Sequence, residues 1–127
     1  MSSSSASKKT VLIADDDIDV LHILRGILRG KPVKIVEAAD GDEAMEKVLE
    51  NEPDLVILDV MMPGQSGWEV CRNIREHSST ATTRVIMLTG IGATMNELTS
   101  PLYGADAYMD KPFDVHALSE LIDQQLA

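Results

Sequence analysis

The 127-residue sequence predicts an α/β domain, a five-stranded parallel sheet with helices on both faces. Three observations predict it. Short, unbroken aliphatic runs recur along the chain, and runs without polar alternation suit strands buried on both faces. Stretches with apolar residues at helical spacing separate those runs, and helix-start signals open several of them. Strands and helices that alternate strictly imply parallel pairing through right-handed crossovers.

The elements follow in order. Val11, Leu12, Ile13 and Ala14 form the first strand, stopped by Asp15, Asp16 and Asp17. Val20, Leu21, Leu24, Ile27 and Leu28 mark the first helix, which Gly30 and Pro32 end. Residues 33–36 read as the second strand. Asp40 and Glu43 have the spacing of a capping box, with Ala44, Met45, Val48 and Leu49 as the apolar face of the helix behind it. Pro53 closes that helix. Leu55, Val56, Ile57 and Leu58 form the third strand, ending at Asp59. Pro63-Gly64 predicts a turn, and Ser66 with Glu69 a second capping box before Val70, Cys71 and Ile74.

Val85, Ile86, Met87 and Leu88 give the fourth strand, ending at Thr89. Thr94 with Glu97 could cap a fourth helix, but Pro101 near its third turn predicts a short or distorted one. Ala107, Tyr108 and Met109 form a brief fifth strand before Asp110, Lys111 and Pro112. Asp114 caps the fifth helix, with Leu118, Leu121, Ile122 and Leu126 inward. Residues 1–9 read as a disordered Ser-rich tail, and residues 10–127 as one domain.

Composition narrows the function. The formal net charge of −10 argues against direct nucleic-acid binding, which needs Lys and Arg to neutralise phosphates. It fits divalent cations or a basic partner surface better. No segment approaches the ~18–20 apolar residues that a membrane span needs, so no membrane association is expected. The single Cys71 excludes a disulfide framework and points to a reducing, cytoplasmic setting. It lies on an apolar helical face and reads as inert packing, while His22, His77 and His116 share no metal-ligand spacing.

Ligands of open parallel sheets bind outside the carboxyl ends of the strands. Asp15, Asp16, Asp17, Asp59, Thr89, Asp110 and Lys111 all stand there, so they must converge on one edge. Two unit charges about 4 Å apart repel by roughly 4 kcal/mol at an effective dielectric near 20. Several carboxylates in one place therefore call for a cation, and hard oxygen ligands suit Mg²⁺ or Mn²⁺. With the Lys111 ammonium and the Thr89 hydroxyl added, the set holds the parts needed to form an aspartyl phosphate by in-line transfer.

At these residues the sequence resembles the receiver domain of bacterial two-component response regulators. The likeness is carried by residues 12–17, by Asp40, Gly41, Asp42, Glu43 and Ala44, and by Asp59 to Gly64 with Ser66 and Gly67. It continues in Leu88, Thr89 and Gly90, in Gly104, Ala105 and Asp106, and in Lys111, Pro112 and Phe113. The resemblance implies a doubly wound, flavodoxin-like fold with strand order 2-1-3-4-5. It implies that Asp59 accepts the phosphoryl group. Asp16 would bind Mg²⁺ directly, Asp15 mainly through water, and the Met61 backbone carbonyl would complete the protein ligands. Lys111 would pair with the phosphoryl oxygens, placed by a cis bond before Pro112, and the Thr89 hydroxyl would bond one of them. Asp17 would start a helix. Tyr108 matches the switch aromatic, which turns inward as Thr89 is drawn to the phosphoryl group and changes the face of the fourth helix, fifth strand and fifth helix.

The implied function is a phosphorylation-dependent signalling switch, with at most self-catalysed phosphoryl transfer. It would be charged by a histidine kinase or phosphotransfer protein and read by a downstream protein target. Met61 and Ile91 stand where polar side chains can orient an attacking water, which predicts slow autodephosphorylation. Pro101 lies within the switching face, so the motion there can depart from the family pattern. With no effector segment after Ala127, the chain reads as a stand-alone regulator or as the receiver of a longer protein, monomeric before phosphorylation. Two other readings compete. One is a receiver-shaped interaction module that is never phosphorylated. The other is a Mg²⁺-dependent phosphatase of the haloacid-dehalogenase type, which would carry an Asp where Met61 stands.

Overall fold

A computed structural model describes residues 8–90 and 104–127. Its strands are β1 (Lys9–Ala14), β2 (Val33–Ala38), β3 (Leu55–Asp59), β4 (Arg84–Thr89) and β5 (Ala107–Asp110). They form one sheet in the order β2-β1-β3-β4-β5, and every neighbouring pair is parallel. The helices are α1 (Ile18–Arg29), α2 (Gly41–Asn51), α3 (Gly67–Glu76) and α4 (Val115–Leu126). The helix expected after β4, with Thr94, Glu97 and Pro101, lies outside the described residues, as do Ile91 and residues 1–7 of the tail. Among the described residues, no helix is long and apolar enough to cross a membrane.

Alternate strand residues face opposite sides of the sheet and so build two cores. Ile13, Ile57 and Leu88 pack with Leu24 and Leu28 of α1 and Leu118 and Ile122 of α4. Leu12, Leu58 and Met87 pack with Val48 of α2 and Val70 and Ile74 of α3. Each of these side chains is fully buried, a gain of about 1.5–3 kcal/mol apiece for residues of this size. Two layers of helix therefore hold the central strands rigid, and their carboxyl ends with them. Cys71 is buried in the second core, where desolvation pushes its thiol up to about 11. It stays protonated and unreactive at neutral pH.

Three local details depart from the sequence expectation. β1 starts at Lys9, two residues before the aliphatic run, because Lys9 and Thr10 pair with Val33 and Lys34 through backbone alone. Leu49 is 43 % exposed, because Ala44, Met45 and Val48 already fill the inward stripe of α2. The Asp40–Glu43 box is only half formed. The Asp40 carboxylate accepts the Glu43 N–H at 2.8 Å, but the Glu43 carboxylate accepts from Ala39, one residue further back. The Ser66–Glu69 box closes in both directions.

β2 lies at the edge of the sheet. Its Ala38 carbonyl accepts from Asp15 on the β1 side, so the neighbouring Glu37 carbonyl faces outward, where the Lys47 ammonium donates to it at 3.0 Å. The Glu37 carboxylate accepts from the Arg25 guanidinium of α1, and that bond chiefly holds it below its ordinary value of 4.5.

Candidate functional site

β1 delivers Asp15 and Asp16 to the carboxyl edge of the sheet, and the turn into α1 sorts the three consecutive acids. Asp15 Oδ1 accepts the Asp17 N–H at 2.9 Å, fixing the Asp15 carboxylate over the strand end. The Asp17 carboxylate accepts the Asp19 N–H and caps α1, as the sequence predicts. Asp59, the last residue of β3, stands on the neighbouring strand. Asp15 and Asp59 are buried, Asp16 is exposed, and one carboxylate oxygen from each lies within 4.8 Å of the others.

Lys111 reaches this group from beyond β5. Its N–H donates to the Thr89 carbonyl at 2.7 Å, and its peptide bond to Pro112 is cis. The ammonium donates to Asp15 Oδ2 at 2.8 Å and to Asp59 Oδ1 at 3.1 Å. Residues separated by 96 and 52 positions thus share one ion-pair cluster. Thr89 is buried at the end of β4, one step beyond Leu88, the register partner of Asp59. Tyr108 sits in β5, half-buried against the core under α2 and α3. Met61 lies two residues beyond Asp59 with its side chain 69 % exposed, in a hollow shared with Asp16, Pro63 and Ser66.

The charges in this cluster do not balance. Burial pushes the Asp59 carboxyl above its ordinary 3.8, and the neighbouring Asp15 charge adds to the rise. The Lys111 hydrogen bond and charge offset only part of it, and Asp16 raises it further. Burial acts to lower the Lys111 pKa, but its bonds to Asp15 and Asp59 outweigh burial and hold it above 10.5. One ammonium therefore faces three carboxylates. The surplus of negative charge, on oxygen donors only, fits a hard divalent cation such as Mg²⁺.

Since the folded-state pKa of Asp59 is raised, its ionised form costs stability above that pKa. The cost is relieved as pH falls from there toward 3.8. Without metal at neutral pH, Asp59→Asn is expected to stabilise the fold by about 1 kcal/mol, the scale of one screened like-charge contact. That corresponds to a rise of roughly 4 °C in melting temperature for a domain of this size. The advantage should shrink on acidification, which thermal melts across a pH series check directly.

The sequence reading did not anticipate how tightly the loop after β3 is set. An ideal Cβ on Gly67 would meet the Asp59 carbonyl at 2.3 Å, and one on Gly41 would meet the Gln65 carbonyl at 1.7 Å. The available signal was a glycine placed directly after a helix cap twice, in Asp40-Gly41 and Ser66-Gly67.

The family model of the response regulator receiver domain matches residues 11–123. The chain is 44 % identical over 103 residues to the transcriptional regulatory protein ResD of Bacillus subtilis, covering 81 % of this chain and 42 % of that protein. It spans less than half the length of the curated relatives it matches. Among solved structures, the chemotaxis response regulator CheY4 of Vibrio cholerae superposes with a TM-score of 0.87 at 28 % identity, covering 94 % of this chain and 100 % of that one. A CheY-like response regulator receiver domain protein from Methanospirillum hungatei gives 0.86 at 30 % identity, covering 94 % of each chain.

Proposed function

Because the chain belongs to the response regulator receiver domain family, we propose that Asp59 accepts a phosphoryl group from a histidine kinase or phosphotransfer protein. The observation that carries this reading is the pairing at Asp59. The Lys111 ammonium donates to its Oδ1 at 3.1 Å, so the acid stands beside the cation that would meet a phosphoryl oxygen. Both oxygens of Asp15 already accept bonds, from Asp17 and Lys111.

An Asp59 carboxylate oxygen attacks phosphorus in line, an O–P bond forms, and the P–N bond to the donor imidazole breaks as that nitrogen takes a proton. Asp15, Asp16, Asp59 and the Met61 carbonyl would hold Mg²⁺, which supplies positive charge to the transferring oxygens. Lys111 keeps its proton and passes from Asp59 Oδ1 to a phosphoryl oxygen, so the cluster exchanges one anionic partner for another. The Thr89 hydroxyl donates to a second oxygen. Its displacement toward the site lets Tyr108 turn inward, and a downstream protein binds the altered face.

The test is the intact mass after incubation with acetyl phosphate and Mg²⁺. The native chain should gain one phosphoryl group and Asp59→Asn none. No gain in the native chain would favour an interaction module that is never phosphorylated, and turnover of a simple phosphate ester would favour a phosphatase. Met61 offers no polar group to orient an attacking water, so the phosphorylated form should persist for minutes or longer. Loss within seconds, in Mg²⁺ without a phosphatase, would refute that lifetime.

A further inference from the structure

The loop after β3, residues 60–66, carries Met61 and the rim of the hollow beside Asp16. Its inner end is pinned by backbone alone, with Val60 donating to the Leu88 carbonyl at 3.0 Å and accepting from the Gly67 N–H at 2.9 Å. Its outer end is different. The Gln65 side chain spans the gap between two helices: Nε2 donates to Asp42 Oδ1 of α2 at 3.2 Å, and Oε1 accepts from Asn73 Nδ2 of α3 at 2.6 Å. The Gly41 N–H donates to the Pro63 carbonyl at 3.2 Å from the same side. Gly64 has φ +74°, and its backbone is so close to the Asp42 carboxylate that a Cβ there would meet Oδ2 at 2.5 Å.

We infer that Gln65, held by Asp42 and Asn73, is a positioning residue for the divalent-cation site: its bridge sets where the loop presents the Met61 carbonyl relative to Asp16 and Asp59. The inference rests on the reading of these residues as a Mg²⁺ site. None of the three bridging side chains belongs to the proposed ligand set, so their effect passes through the loop backbone. Two of the three are neutral amides, so removing them leaves the charge at the site unchanged. A change in cation affinity on their removal is therefore positional rather than Coulombic.

The experiment titrates Mg²⁺ into the native chain, Gln65→Ala, Asn73→Ala and the double variant, following the fluorescence of Trp68, which lies in the first turn of α3. Truncations behind metal ligands typically cost ~10–100-fold in affinity, and the Kd is expected to rise by about 10-fold in each single variant. The double variant should be no weaker than the worse single one, because both act through one bridge. Urea unfolding without metal runs alongside. A Kd within twofold of native, or a loss confined to metal-free stability, would overturn the inference and leave Gln65 a packing residue, as would a native chain that binds no Mg²⁺. At saturating Mg²⁺, phosphoryl uptake by the variants should return to the native rate. If the native chain takes up no phosphoryl group while the affinity ratios hold, the phosphoacceptor reading fails and the positioning role stands.

Discussion

Lys111→Met is expected to destabilise the metal-free domain by about 3 kcal/mol at neutral pH, the scale of removing one partner from a buried ion pair. The methionine keeps most of the apolar stem, so packing changes little. What changes is charge: Asp15 and Asp59, both buried, lose the only ammonium bonded to them among the described residues. The folded-state pKa of Lys111 is raised, so its contribution is complete below 10.5 and lost only as pH rises through the folded value. The native chain therefore keeps it at neutral pH. In the variant, the carboxylates take up protons more readily, and the deficit should narrow as pH falls. Added Mg²⁺ should recover part of it by replacing the missing charge. Urea unfolding at neutral and acidic pH, with and without Mg²⁺, reads all three effects; a variant as stable as the native chain in every condition would mean that solvent already screens the cluster.

Gly41→Ala is expected to cost about 3 kcal/mol, the upper end of the usual range for overpacking. Helix propensity argues the other way, since Ala is favoured over Gly by about 1 kcal/mol within a helix. Collision decides the outcome. The new methyl would stand 1.7 Å from the Gln65 carbonyl oxygen and 2.6 Å from its carbon, both backbone atoms that no rotamer change can move. The loop must shift, giving up the Gly41–Pro63 hydrogen bond, and Mg²⁺ affinity should fall with it. Gly26, exposed in the middle of α1 with nothing within 4 Å of an added Cβ, supplies the internal control. Gly26→Ala should stabilise by roughly 0.5–1 kcal/mol. Urea midpoints for the two variants should move in opposite directions. Equal shifts would show that backbone propensity, not contact, governs both.

β1, β3 and β4 were legible because each holds an unbroken apolar run with a polar stop, and burial on both faces leaves no other reading for Leu55 to Leu58. Once strand order is known, the meeting of Asp15, Asp59 and Lys111 follows from topology. Two kinds of detail were not legible. Lys111 bonds Asp15 more closely than Asp59, at the Asp15 oxygen that the Asp17 N–H does not take. The bridge from Asp42 through Gln65 to Asn73 depends on how an irregular loop packs against two helix ends, and irregular backbone carries no periodic signal. Leu49 shows the same limit from another side: spacing marks a stripe, but the width of that stripe depends on neighbours.

The outer margin of β2 has a consequence for the protein at high concentration. An unpaired strand edge is a template on which another chain's strand can add. Here the outward Glu37 carbonyl is already occupied by Lys47, and Lys34 stands exposed on the same strand. An incoming segment would have to displace the ammonium and lie against fixed charges, which makes polymerisation through this edge unfavourable.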